Sequence, residues 1–273
     1  ISLTVSGMLG AHPVPLLQTM RKTVVDGSNT SGFQRTTLVA TDGVLETEGG
    51  PVGIDVLCLE EDSARKLDSE LTTSGEVVTW NLDRLGIPLI EIATAPDIKT
   101  PDHAKQTSIA LGRTLRDTRR VRRGLGSIRQ DLNVSIMCGD RVEIKGCQDL
   151  EWIPRIIRCE MARQLHFYRL ANQLREMHGL PSLPNDRREE SESIEDQVNK
   201  ILPLKLVDVT SRFTSCNANR VKHGLSEKSV MLALPLPGFS GLIGTKEFDA
   251  DGAQMPRLGR ELAGAAKLAG VAG

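Results

Sequence analysis

The sequence predicts an α+β fold, in which a mixed or antiparallel sheet with flanking helices is followed by a smaller α+β segment. Two observations carry that expectation. From Arg129 to Ile136, and again over 141–145, apolar and polar residues alternate with the period of a strand that has one covered face. Two longer stretches, beginning near Thr100 and Ile153, space their apolar residues three and four apart, the period of a helix.

In chain order, the segment to about residue 99 reads as strand and loop. His12, in Gly10-Ala11-His12-Pro13, reads as a loop histidine ahead of the first helix. Leu57-Cys58-Leu59 is an apolar strand that runs into Glu60-Glu61-Asp62. The plainer alternative lets Asp62-Ser63-Ala64-Arg65-Lys66 open a helix, whose N-terminus favours acids. Leu89-Ile90 leads into Glu91, which Pro88, Ile92 and Ala93 also surround. A carboxylate embedded in an apolar strand is costly unless paired or used. Two such strand-borne carboxylates are the hard oxygen donors that Mg²⁺ takes.

Thr100-Pro101-Asp102 is a helix start, with Thr as N-cap and Pro at the first helical position. Ala104, Ser108, Leu111 and Leu115 then mark one face. The alternating stretch follows as a hairpin. Leu132, Val134 and Ile136 face one way, and Arg129, Asp131, Asn133 and Ser135 the other. Gly139-Asp140 supplies a turn tolerant of positive φ. On the return strand Val142 and Ile144 oppose Arg141, Glu143 and Lys145. Such a charged face is either the wet side of an antiparallel sheet or a floor for a phosphorylated ligand, and the spacing leaves both open.

A second helix is expected from Ile153 to about His178, closed by Gly179 and Pro181, with His166 and His178 as surface or cap residues. Residues 181–203 form a polar linker or exposed helix, and Val207-Asp208-Val209-Thr210 begins a further domain over 204–273.

Composition narrows the classes. The 273 residues carry a formal charge of −1, so no global basic field marks a nucleic-acid binder. The basic signal is local: Arg113, Arg116, Arg119, Arg120, Arg122 and Arg123 lie within eleven residues. They either track nucleic-acid phosphates or complement the dipole of a helix C-terminus. Aromatics are only 3%, too few for base-stacking platforms. The five cysteines (58, 138, 147, 159, 216) show no Cys-x-x-Cys pairing, which suggests a reducing cytoplasm, with Cys138 and Cys147 packing as small hydrophobes. No apolar run approaches the roughly 18 residues of a membrane span. Neither a Gly-x-Ser-x-Gly elbow nor a Gly-x-Gly-x-x-Gly turn after a strand occurs, which disfavours a serine hydrolase or a Rossmann enzyme.

Five collinear phrases resemble the catalytic subunits of tRNA-dependent amidotransferases, the family of the bacterial B-type and archaeal E-type subunits. They are DGSNTSGFQR (26–35), LCLEED (57–62), LDRLGIPLIEIATAPDI (82–98), GLGSIRQDLNVSI (124–136) and RVEIKGCQDLE (141–151). The DGSNTSGF stretch, Gln130 and Gly146-Cys147-Gln148 resemble the archaeal form more than the bacterial one. LPLPGFSGLIG (234–244) with GRELAGAAKLAG (259–270) resembles the insertion domain shared with bacterial-type aspartyl-tRNA synthetases.

The resemblance implies a cradle-shaped catalytic domain over 1–180 and a truncated insertion domain over 204–273. It also implies an ATP- and Mg²⁺-dependent carbon–nitrogen ligase. That enzyme phosphorylates the glutamyl side chain of Glu-tRNA(Gln) and amidates it with ammonia from an asparaginase-like D-type subunit. By motif position Glu61 and Glu91 are expected to hold Mg²⁺. Lys22, Arg129 and Lys145 are expected to contact phosphate, ordinary surface charge being their plainer alternative. The family's N-terminal Gly-Leu-Glu-x-His-type strand and its zinc cysteines are not in this sequence, and the end at Gly270-Val271-Ala272-Gly273 falls inside the insertion domain. An internal fragment is therefore expected. The alternatives are a bacterial or organellar B-type subunit and a tRNA-binding or assembly module without turnover.

Overall fold

The computed structural model describes residues 1–72, 75–124, 126–202, 205–244, 246, 248, 252 and 255–268. These divide into two compact units, Ile1–Leu132 with Lys145–Ile156, and Asn133–Ile144 with Ile157–Gly273.

The first unit opens with a helix, α1 (Ser2–Met8), where strand and loop were expected. Thr, Val, Ser and Gly are weak helix formers, so propensity does not announce it. Burial holds it instead. Val5 and Leu9 are almost fully covered, and the buried Ser6 hydroxyl donates to Ala11 O at 3.0 Å. The strands β1 (His12–Pro13), β2 (Thr19–Thr23), β3 (Phe33–Leu45) and β4 (Val52–Glu61) follow, then β5 (Arg65–Thr72), β6 (Gly75–Asn81) and β7 (Pro88–Thr94). His12 is thus an exposed strand residue paired opposite Thr41, not a loop histidine. Residues 62–66 open no helix, because the chain passes directly into β5, which pairs with β6.

β1, β2, β3, β4 and β7 form one antiparallel sheet. β3 is long enough for β1 and β2 to share one of its edges while β4 takes the other. The register shifts between Leu38 and Ala40 on β3 and between Ile54 and Val56 on β4. Each shift inserts one extra residue and re-phases the faces. For this reason Ile54 and Leu57, three residues apart, both enter the core. Val5, Leu9, Ala11, Val39, Ala40 and Leu45 complete that core, with Ile90 and Ile92 packed against it. Gly43 permits the close approach of α1, because a Cβ there would meet Ala11 Cβ at 2.9 Å and Leu9 O at 3.0 Å.

Helix α2 (Pro101–Asp117) is capped as expected, the Thr100 side chain accepting from the His103 N–H at 3.2 Å. Ala104 is buried, and Leu111 and Leu115 pack on the core.

The hairpin strands β8 (Leu132–Val134) and β9 (Val142–Ile144) pair as a two-stranded sheet. The expected alternation holds: Val134 is buried, while Asn133, Ser135, Arg141 and Glu143 are exposed. The strands are shorter than the pattern suggests. Val134 O accepts from Gln164 Nε2 at 3.0 Å and the Ile136 N–H donates to Gln164 Oε1 at 3.1 Å, so helix side chain replaces ladder partner. The glycine of the turn, Gly139, does not use positive φ; a Cβ there would collide with Gln164.

Gln164 lies on α3 (Ile153–Met177), whose bounds match expectation. Gly179, at φ +66°, ends the helix, with the Leu180 N–H reaching Arg175 O. His166 is only 6% exposed and sits beside the Phe167 ring, which overturns its reading as a surface residue. Glu160, Gln164, His166, Leu170 and Arg175 are all buried, so α3 is covered on more than one side. His178 lies in the closing turn, half-buried. The polar stretch after it contains the exposed-helix alternative, α4 (Ile194–Ile201), with Ser193 as N-cap. Then come β10 (Val207–Asp208), α5 (Asn219–Ser226), β11 (Leu232–Ala233) and α6 (Leu258–Leu268). β10 pairs with β11. Gly270–Gly273 lies outside the described residues. No helix among the described residues is long and apolar enough to cross a membrane.

Candidate functional site on the charged face of the sheet

Register decides which acids share a face. Cys58 pairs with Glu91, Leu59 with Ile90, Glu60 with Leu89 and Glu61 with Pro88, without interruption. Directly opposed residues point the same way, and successive ones alternate. Cys58, Glu60 and Glu91 therefore share one face. Leu57, Ile90, Ile92 and Glu61 belong to the other, which is the core side. Glu61 and Glu91, expected to act together, project from opposite faces, and Glu60 is the acid that shares a face with Glu91.

Glu61 is engaged elsewhere. Arg35 Nη1 donates to its carboxylate at 2.5 Å, and the Arg35 guanidinium stacks on Phe33 together with that of Arg21. The ion pair and stack hold Glu61 on its own face, as Lys22 holds Glu60 on the other.

On the opposite face Lys22 Nζ donates to Glu60 Oε1 at 2.5 Å, and the Thr36 hydroxyl donates to the same oxygen at 3.3 Å. Lys22 reaches Glu60 because it is opposed to Gln34 on β3, two residues before Thr36, which is opposed to Glu60. Partial burial pulls the Lys22 ammonium down, but the Glu60 hydrogen bond and the charges of Glu60 and Glu91 outweigh it and hold Lys22 above its ordinary value. Burial, then the Glu91 charge, pushes the Cys58 thiol up. One face thus combines a lysine, two carboxylates and a buried neutral thiol.

Just past β4 the polar contacts continue. Asp62 is 7% exposed, with Arg129 Nη2 at 3.1 Å and Arg84 Nε at 3.7 Å. Beside it, Asn29 donates from Nδ2 to the Ser63 hydroxyl at 3.1 Å, while its Oδ1 is buried without a hydrogen-bond partner among the described residues. Asp26 accepts from the Ser28 N–H at 2.9 Å, and the Ser28 hydrogen bonds hold its carboxyl below the ordinary range. Gly27, at φ +88°, lets this turn approach the Trp80 indole; a Cβ would lie 3.0 Å from Nε1.

The three expected phosphate contacts therefore have separate carboxylate partners: Glu60 for Lys22, Asp62 for Arg129, and Asp131, at 3.6 Å, for Lys145. Glu60, Asp62, Arg84 and Asn29 were not singled out by the sequence pattern. The acid triplet and the Asp-Gly-Ser-Asn turn were the available signals.

Glu60 and Glu91 fit magnesium in kind, since Mg²⁺ takes one or two carboxylates and completes its octahedron with water and phosphate oxygen. Among the described residues no group of three or more His, Cys, Asp or Glu stands ready to hold a metal alone. A cavity of about 310 Å³ lies in the second unit, lined by residues including Gln164, Phe167, Tyr168, Arg163 and Arg187. Its arginines are already neutralised, Arg163 by Glu160 and Glu261, Arg187 by Asp140 and Glu190. None of the five cysteines is joined in a disulfide.

The family model of the GatB/GatE catalytic domain matches residues 1–251. The chain belongs to this family. Over its whole length it is 44% identical to the glutamyl-tRNA(Gln) amidotransferase E subunit of Methanocaldococcus jannaschii and 43% identical to the protein of the same name from Methanosarcina acetivorans. It is 44% identical over 98% of its length to that of Pyrococcus furiosus. It spans 39%, 38% and 38% of those relatives, respectively. The GatB/GatE membership agrees with the antiparallel sheet and flanking helices described above.

Proposed function

We propose that this chain carries the phosphorylation and amidation centre of an ATP-dependent Glu-tRNA(Gln) amidotransferase of the archaeal E type. The observation that supports the reading most is the joint presence of Lys22, Glu60 and Glu91 on one sheet face whose reverse side is packed core. A free carboxylate resists attack by ammonia, whereas an acyl phosphate offers a good leaving group, so the reaction needs a phosphoryl donor and a place to neutralise its charge. Glu60 and Glu91 would hold magnesium, which when bound neutralises triphosphate charge. Lys22, kept protonated by the two carboxylates, is then a cation for phosphate oxygens. Arg129, already aligned by Asp62, would orient a further anionic group, and Lys145 would supply charge beside it. Ammonia would come from an asparaginase-like D-type subunit, in a cytoplasmic hetero-oligomer. Residues 204–273 would belong to the insertion domain resembling that of aspartyl-tRNA synthetases.

The test is a single-turnover assay with γ-labelled ATP and Glu-tRNA(Gln). Transfer of label to the glutamyl group, lost in Glu91→Gln, supports the reading. Binding of Glu-tRNA(Gln) without transfer would replace it with a holding module that performs no chemistry.

A further inference from the structure

The six arginines between 113 and 123 are all exposed, and none carries an ion pair among the described residues. Asp117 is the only acid in that stretch, giving a charge of +5 over eleven residues in a chain of formal charge −1. Seven of the seventeen arginines elsewhere, Arg35, Arg84, Arg129, Arg163, Arg175, Arg187 and Arg188, face carboxylates, so what sets 113–123 apart is the density of its cations.

Complementing the helix dipole does not account for this cluster. α2 ends at Asp117 with Thr118 as its C-cap, so only Arg116 is a basic residue of its last turn, and dipole effects fade beyond that turn. Arg119, Arg120, Arg122 and Arg123 lie past the cap. Arg119 moreover occupies the left-handed position after the cap, at φ +56°, with its N–H bonded to Arg116 O at 2.9 Å. Glycine is the residue that favours this conformation. The chain thus carries a long cation where backbone geometry calls for none.

We propose that Arg113–Arg123 is a docking surface for the sugar–phosphate backbone of an RNA duplex. Unpaired guanidiniums bind phosphate bidentately and without base preference. No aromatic residue occurs from 113 to 123, so single strands would find no stacking platform there. The choice of RNA rests on the function proposed above, in which the substrate is carried on a tRNA whose arms are duplex.

The experiment measures anisotropy of a fluorescein-labelled 12-base-pair RNA hairpin with this chain between 50 and 300 mM KCl. Replacing Arg119, Arg120, Arg122 and Arg123 together by Gln should reduce the slope of log K against log[salt] by about 3 to 4 and weaken binding at 100 mM at least 30-fold. Arg119→Gly should weaken RNA binding while raising the melting temperature by about 1 to 3 °C, a combination that a purely structural arginine does not give. An unchanged slope in the fourfold variant, no binding by the wild-type chain at 50 mM, or equal capture by anionic lipid vesicles would overturn the proposal. Label transfer from ATP to Glu-tRNA(Gln) with an unchanged slope sinks only this surface; an altered slope without transfer sinks only the function proposed above.

Discussion

One face of the five-stranded sheet sets Leu57, Ile90 and Ile92 against the core completed by α1 and α2. The other presents Lys22, Glu60 and Glu91 around Cys58. The same strands build both, yet stability resides on the first and ionic chemistry on the second. A charged set can be kept there because only one side must exclude water. The core side also holds Glu61, which pairs with Arg35 at the end of β4 and stays partly exposed.

Substitutions should separate the two faces. The largest effect is expected from Leu57→Ala, which empties a fully buried position and should cost about 2 to 5 kcal/mol in urea denaturation. Comparable stability in that variant would mean that the packed face is not the folding core. Glu60→Gln and Glu91→Gln should each lower phosphate transfer to Glu-tRNA(Gln) by about 10²-fold or more while the urea midpoint barely moves. Glu61→Gln should leave transfer near wild type. A large loss in Glu61→Gln with none in Glu60→Gln would show that the faces are assigned the wrong way round.

A smaller effect is expected for the Lys22–Glu60 pair, whose lysine is half exposed. A double-mutant cycle should give a coupling of about 0.2 to 1 kcal/mol, shrinking in salt. The smallest concerns Cys58. Its folded pKa lies above the ordinary 9.0. Stability from the neutral thiol is therefore complete below pH 9 and is lost as pH rises through the folded value. Glu91→Gln removes a cause of that elevation, so alkylation of Cys58 at pH 8.5 should quicken, whereas Glu61→Gln should not change it. Equal rates in both variants would contradict the shared face of Cys58 and Glu91.

How much of this was legible in the sequence depended on the range of the physics. Local signals read true: Thr100-Pro101 starts α2, the stripe from Ile153 gives α3, and the charged alternation around β8 and β9 is exposed where expected. Features fixed by distant partners did not. α1 exists because Val5 and Leu9 find the core, and β8 stops where Gln164 takes over its hydrogen bonds. The choice between Glu60 and Glu61 belongs to the second class. Simple alternation along β4 groups Glu60 with Ile54 and Val56. The extra residue between those two breaks the phase, and only the pairing with β7 reveals that Glu60 ends up with Glu91. Lys22 likewise depended on the pairing of β2 with β3, which no motif announces.

That single unpaired position, Asp55, makes the number of residues in β4 matter as much as their identity. Deleting it would bring Ile54 and Leu57 two residues apart, so strict period-two order would keep both inward and leave Glu60 with Glu91 on the charged face. A one-codon loss between Leu57 and Glu60 has no such slack: it would turn Glu60 toward the aliphatic face and part it from Glu91, more damaging than most replacements of the side chains it rearranges.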